Sequence, residues 1–162
     1  MSQVITAGTA ESVGERVRSI RWGILALAVA CAVAVFGAYG DSHPKANQEH
    51  AVPYICAVAA TLAIGIFGFL VPAGLRGAAN RPGLWSGWAL ALGILGVVII
   101  PVTFWSGVPL LIGTAAVLLG AAGRQAAPGR GRGVPSWALG LGVFAIVAGL
   151  AMAIVGTVVV PD

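Results

Sequence analysis

Long apolar runs separated by short polar loops fill nearly all of this chain after residue 20, and no other feature constrains the fold as strongly. Hydrophobic residues make up 59% of the 162 residues, charged residues make up 9%, and the mean hydropathy is +0.97. A soluble domain carries about 25% charged residues. Because this chain lacks the charge for a water-facing surface, we predict an all-α, polytopic transmembrane helix bundle.

The lengths of the apolar runs predict five membrane spans. A helical span needs about 20 apolar residues to cross the hydrocarbon core of a bilayer. The run 84–123 would be about 60 Å long as one straight helix, roughly twice that thickness. Pro101 and Pro109 lie within it, so we predict a tight turn at 102–108 and a helical hairpin; without the hairpin the chain has four spans. The predicted spans are about 22–39, 52–75, 85–102, 104–123 and 136–160.

The arginines lie in alternate loops, which gives the predicted topology a direction. They precede the first span, follow the second and follow the fourth: Arg16, Arg18, Arg21, Arg76, Arg81, Arg124, Arg130 and Arg132. Basic residues concentrate on the cytoplasmic side of a membrane, and only the hairpin topology places all eight on one side. The sequence therefore predicts the N-terminus inside, the C-terminus outside, and the loop containing Lys45 outside.

Residues 1–20 are predicted to form a polar and basic cytoplasmic tail, and residues 21–162 to form the bundle. Ser12 and Glu15 have the spacing of a helix capping box, so the alternative to a flexible tail is a short interfacial helix that continues directly into the first span. A second alternative is a secretory signal at 22–40. It would combine the preceding basic residues, an apolar run and a small-x-small cleavage site at 38–40.

Aromatic residues mark both ends of the predicted spans. Trp22, Trp85, Trp88 and Trp137 lie at inner ends, whereas Trp105, Tyr39 and Tyr54 lie at outer ends. Trp and Tyr are enriched at both membrane–water interfaces. We therefore predict that the five tryptophans are lipid-interface residues.

The six residues from Trp88 to Gly93 recur in similar form from Trp137 to Gly142. The segment from Trp88 to Val98 and the segment from Phe104 through Pro109 to Gly120 resemble small multi-span bacterial membrane proteins of unknown function built on Gly-rich helix hairpins. That resemblance implies a hairpin bundle and no particular activity. Eight Arg to one Lys, with abundant Ala, Gly and Val, also point to a GC-rich bacterial genome.

Glycines recur at seven-residue intervals in the last two predicted spans. Gly142, Gly149 and Gly156 form one series, and Gly113 and Gly120 repeat the interval in the preceding helix. Small residues on one stripe let helix backbones approach closely in lipid. We predict that these five are helix-packing residues. Packing within the bundle and docking of a partner helix remain alternatives.

The predicted spans contain no Asp, Glu, Lys, Arg or His, which argues against a proton-coupled transporter. The polar residues at membrane depth are Thr61, Thr103, Ser106, Thr114 and Thr157. We expect each hydroxyl to bond a backbone carbonyl of its own helix. Counted from the intervening loop, the depths of Cys31 and Cys56 differ by about 6 Å, so we predict no disulfide.

The loop 40–50 holds the densest group of metal-ligand residue types: Asp41, His43, Glu49 and His50. Imidazoles and carboxylates can bind a transition metal, but the spacing fits no recognised site. A solvated loop is the favoured interpretation. The sequence predicts no catalytic residue, no cofactor and no enzymatic activity.

The leading hypothesis is an integral protein of the bacterial inner membrane that acts as a structural or accessory subunit through helix–helix contacts. A small oligomeric channel or uncoupled carrier is the alternative, and an enzyme using the loop 40–50 comes third. The predicted partners are a bilayer with anionic head groups and another membrane protein or a second copy. Nucleic acid is not expected, because the basic residues flank apolar spans.

Overall fold

A computed structural model describes residues 2–39, 48–126 and 133–158, with side chains for 14–39, 51–126 and 133–156. These residues are helical apart from short breaks, and none of them forms a strand. The helices are α1 (Ser2–Tyr39), α2 (Gln48–Ala63), α3 (Val71–Ala78), α4 (Pro82–Val98), α5 (Ile100–Thr103), α6 (Val108–Ala126) and α7 (Val134–Val158). A π-helical segment, Ile64–Leu70, joins α2 to α3, and a 3-10 turn, Phe104–Ser106, follows α5.

Four of the helical segments are long and apolar enough to cross a membrane on their own: Gly14–Tyr39, Ala51–Ala78, Val108–Ala126 and Val134–Gly156. A fifth candidate is the pair Pro82–Val98 and Ile100–Ser106, whose axes differ by 56°. The prediction of an all-α polytopic bundle with four or five spans is therefore confirmed.

The long apolar run is divided where its prolines predict a break, although the helix ends differ from the prediction. α4 ends at Val98 instead of residue 102, and α6 begins at Val108 instead of residue 104. Pro101 lies in the first turn of α5, since a proline cannot donate the hydrogen bond needed in a helix interior. Gly107 then adopts the left-handed conformation, with φ of +70°, and reverses the chain.

Two other helices extend further toward their N-termini than predicted. α1 is helical from Ser2, so residues 2–20 continue the first span as helix. No proline interrupts this segment, so helical hydrogen bonding can continue through its polar residues. α2 begins at Gln48, which places Pro53 inside the helix and not in its first turn.

α6 is the central helix of the bundle. Of its most apolar 18-residue window, 56% is buried, compared with 22–28% in the other three unbroken spans. α6 packs closely against α4 and α7 and also contacts α1, whereas α2 packs mainly against α1. The buried side chains are mostly alanines, with Leu111, Leu119, Phe67 and Val71 as the large members. Large apolar side chains point outward, as expected when the surrounding solvent is lipid.

Candidate helix-packing and membrane-interface sites

The backbones of α6 and α7 approach each other closely at Gly113 and Gly142. A methyl group on Gly142 would lie 2.8 Å from the carbonyl oxygen of Gly113 and 3.0 Å from the amide nitrogen of Val117. Conversely, a methyl group on Gly113 would lie 2.8 Å from the carbonyl oxygen of Gly142. Neither position has room for a side chain, because the opposing atoms belong to the backbone.

The other three glycines of the predicted stripe also face their own chain. A methyl group on Gly120 would lie 3.1 Å from the amide nitrogen of Leu139. One on Gly149 would lie 3.3 Å from Cβ of Pro109, and one on Gly156 would lie 2.9 Å from Cε2 of Phe104. These contacts favour packing within the bundle over docking of a partner helix.

α4 adds a third small-residue face that the sequence analysis did not identify. Ala89, Gly93 and Gly96 are buried on one side of α4, with the four- and three-residue spacing of a helical stripe. A methyl group on Gly93 would lie 3.0 Å from Cβ of Leu141, and one on Gly96 would lie 3.2 Å from Cβ of Ala145. α4, α6 and α7 therefore form one tightly packed unit.

Four of the five tryptophans have the exposure expected of residues that face lipid or its interface, and Trp85 does not. Trp22, Trp88, Trp105 and Trp137 are 46–69% exposed. Trp85 is half-buried. Its indole packs on Gly77, where a methyl group would lie 2.7 Å from Cε2, and on Gly74, where a methyl group would lie 3.0 Å from Cε3. Trp85 therefore joins α3 to α4.

The π-helical segment carries an interhelical hydrogen bond that sequence patterns did not indicate. The buried hydroxyl of Ser19 in α1 donates to the backbone carbonyl of Phe67, at 2.8 Å. The Phe67 side chain is 2% exposed and packs on Gly23, where a methyl group would lie 2.6 Å from its Cβ. At the end of this segment, where α3 begins, Val71 N–H donates to the Ile66 carbonyl, five residues earlier. The bond from Ser19 thus ties α1 to the irregular part of the second span.

We expect Ser19→Ala to lower the free energy of unfolding by about 1 kcal/mol, the usual size of a polar contact between membrane helices. Thr61→Ala is the matched control. The exposed Thr61 hydroxyl bonds only the Ala57 carbonyl of its own helix, so a change within about 0.5 kcal/mol is expected. Thermal unfolding in detergent measures both variants, and equal stability would argue against the contact between Ser19 and Phe67.

Thr61 and Thr114 bond a carbonyl of their own helix, as predicted, whereas Thr103 and Ser106 bond a carbonyl just beyond the start of their own helical segment. Thr61, Thr103, Ser106 and Thr114 each donate to a carbonyl three or four residues earlier, at 2.6–2.9 Å. The side chain of Thr157 lies outside the described residues. These hydrogen bonds satisfy the hydroxyl donors locally.

The two cysteines are free thiols, as predicted, but they lie at the same depth. Cys31 is eight residues before the end of α1, and Cys56 is eight residues after the start of α2. The predicted depth difference was wrong because α2 starts earlier than its apolar run. Around them Ala34 and Ala38 of α1 face Val52 and Ile55 of α2. In this antiparallel register the two thiols are near neighbours across the contact between α1 and α2.

This register predicts that mild oxidation links the two native cysteines. Copper–phenanthroline is expected to convert the thiol pair to an intramolecular disulfide, detected as loss of two hydrogens from the intact mass and as reversible faster migration on a non-reducing gel. Cys31→Ser and Cys56→Ser should each abolish the product. An exclusively intermolecular disulfide would contradict the packing of α1 on α2.

The arginines with described side chains lie at one end of the bundle, which we call the arginine end. Four helices meet at this end. Trp85 of α4 contacts Gly77 of α3. A methyl group on Gly123 of α6 would lie 2.7 Å from Ser86 Oγ of α4 and 3.6 Å from Pro135 Cβ of α7. The exposed arginines at this end are Arg16, Arg18, Arg21, Arg76, Arg81 and Arg124. Phe104 and Trp105 mark the opposite end, where they contact Gly156 and Gly37.

The predicted metal-ligand residues lie outside what the structure describes. Asp41 and His43 fall in the gap between α1 and α2, and for Glu49 and His50 only the helical backbone is given. Among the side chains that are described, no group of three or more His, Cys, Asp or Glu residues is placed to hold a metal ion.

Comparisons with protein-family models, curated proteins and solved structures find no match for this chain.

Proposed function

We propose that this chain is a structural or accessory subunit of a bacterial inner-membrane complex, which acts through helix–helix contacts and has no catalytic activity. The supporting observation is the uncovered apolar face of the second span. Only 22% of its most apolar window is buried, compared with 28% in the first and last spans, and α2 packs mainly against α1. The large side chains exposed on this span are Tyr54, Val58, Leu62, Ile64 and Phe69, at 37–74% exposure.

The proposal places the arginine end in the cytoplasm. Arginines at the starts and ends of successive helices gather on that end of the bundle, and basic residues concentrate on the cytoplasmic side of membrane proteins. The N-terminal part of the first span then lies inside, and the C-terminal end of α7 lies outside. The arginine end would face the anionic head groups of the inner leaflet, worth about 1 kcal/mol for each basic residue near the surface.

The alternative, a small oligomeric channel or uncoupled carrier, requires polar groups along a water-filled path. The four described hydroxyls at membrane depth donate to backbone carbonyls three or four residues earlier in the chain. Side chains engaged in this way favour the subunit proposal over the channel.

Quantitative mass spectrometry of the tagged protein, purified from its native membranes in mild detergent, tests the proposal. We expect one stoichiometric membrane partner, which Val58→Trp on the second span reduces. Val147→Trp, on an equally exposed position of α7, is the matched control and should retain the partner. A partner-free, defined homo-oligomer would contradict the subunit role, and ion flux in liposomes would then test the channel.

A further inference from the structure

An apolar groove of about 270 Å³ runs between α1 and α6. We call it the α1–α6 groove. Its walls include Trp22, Leu25 and Val29 of α1 and Leu110, Thr114 and Leu118 of α6. The hydroxyl of Thr114 donates to the Leu110 carbonyl at 2.7 Å. Because that donor is already bonded within α6, the groove presents an essentially hydrocarbon surface.

The groove follows the bundle axis. The seven-residue rise from Trp22 to Val29 and the eight-residue rise from Leu110 to Leu118 correspond to about 10–12 Å along that axis,. Lipid acyl chains run in the same direction as helices that cross a bilayer, so a hydrocarbon chain fits the groove lengthwise.

One end of the groove is positively charged. Arg18, Trp22, Leu25 and Val29 follow one another at intervals of four, three and four residues, so they lie on one face of α1. Arg18 is exposed one helical turn beyond Trp22, and Arg21 is exposed beside it. Trp22 is 46% exposed at the mouth of the groove, in the position that an indole takes between apolar and polar surroundings.

We propose that the α1–α6 groove is a binding site for a phospholipid with an anionic head group. One acyl chain occupies the groove, and the phosphate lies beside the guanidinium group of Arg18. Arginine pairs with phosphate through charge-assisted hydrogen bonds, while the apolar walls remain in contact with hydrocarbon. This site is independent of the partner contact on the second span, because it lies between α1 and α6.

Native mass spectrometry of the full-length, delipidated protein with added phosphatidylglycerol or phosphatidylcholine tests the site. We expect one tightly bound phosphatidylglycerol and weaker retention of phosphatidylcholine. Arg18→Gln should weaken phosphatidylglycerol binding about fivefold, the effect of one basic residue near an anionic surface. Arg16→Gln is the matched control, since Arg16 is exposed on a different face of α1.

A second variant tests the groove itself. Val29→Trp fills its inner part and should abolish tight binding, whereas Ile24→Trp, at a position that is 63% exposed and outside the groove, should not. Thermal unfolding of both variants shows whether each remains folded. Equal binding of the two lipids, or equal effects of Val29→Trp and Ile24→Trp, would overturn the proposal. So would a homodimer that Val29→Trp dissociates, because a second copy would then occupy this surface.

Discussion

Gly142→Ala is expected to destabilise the purified protein by about 2–3 kcal/mol, toward the upper end of the usual cost of overpacking. The added methyl group would lie 2.8 Å from the Gly113 carbonyl oxygen and 2.9 Å from Cγ2 of Val117. Since Gly113 opposes it with backbone, α6 and α7 must separate to accommodate the new atom. Separation would also disturb α4, which packs against both helices.

Gly140→Ala is the matched control, two residues away in α7. Gly140 is exposed, and a methyl group there would meet nothing within 4 Å. In a helix interior, alanine is more favourable than glycine by about 0.5–1 kcal/mol, so this variant should unfold at the same temperature as the wild type or higher. Thermal unfolding in detergent, followed by circular dichroism, compares the two. Equal losses of stability in both variants would contradict the contact between α6 and α7.

Gly107→Ala is expected to cost more, about 2–5 kcal/mol, because two penalties act at one position. The φ angle of +70° is unfavourable for alanine by about 1–2 kcal/mol,. The new methyl group would also lie 2.5 Å from Cα and 2.7 Å from the carbonyl oxygen of Ala30. The turn between α5 and α6 would have to move away from α1, at a further overpacking cost of about 1–3 kcal/mol.

Gly107→Asn separates the two penalties, because asparagine adopts positive φ more readily than alanine but still carries a Cβ. It is expected to destabilise the protein nearly as much as Gly107→Ala. Gly87→Ala in α4, where a methyl group would meet nothing within 4 Å, should leave stability unchanged or raise it. Wild-type stability in Gly107→Asn would contradict the close approach of the turn to Ala30.

The sequence predicted the elements that depend on composition and on single strong residues. The apolar runs located the spans, and Pro101 and Pro109 located the break between α4 and α6. Helix ends were predicted less well because a helix can continue beyond the apolar run into water. Polar residues 48–50 and the segment 2–20 are helical for this reason, and no hydropathy pattern marks their start.

The contacts missed from the sequence depend on how neighbouring helices are rotated and paired. Ser19 seemed to belong to a polar tail, yet its hydroxyl is buried against the Phe67 carbonyl. Trp85 seemed equivalent to the other interfacial tryptophans, yet it packs on Gly74 and Gly77. The three-residue spacing of those two glycines was a visible indication of a small-residue face, but their partner was decided by three-dimensional packing.

Cysteine accessibility measures most directly whether the bundle has five crossings with a cytoplasmic arginine end. In a Cys31→Ser/Cys56→Ser background, single cysteines replace Ala79, Gln125 and Lys45. Ala79 and Gln125 are both exposed next to the arginine end, while Lys45 lies in the loop predicted outside. We expect a membrane-impermeant maleimide to label Lys45→Cys in intact spheroplasts, and Ala79→Cys and Gln125→Cys only after lysis. Labelling of Ala79→Cys and Gln125→Cys from opposite sides would show that residues 82–126 cross the membrane once, and would contradict the five-crossing bundle.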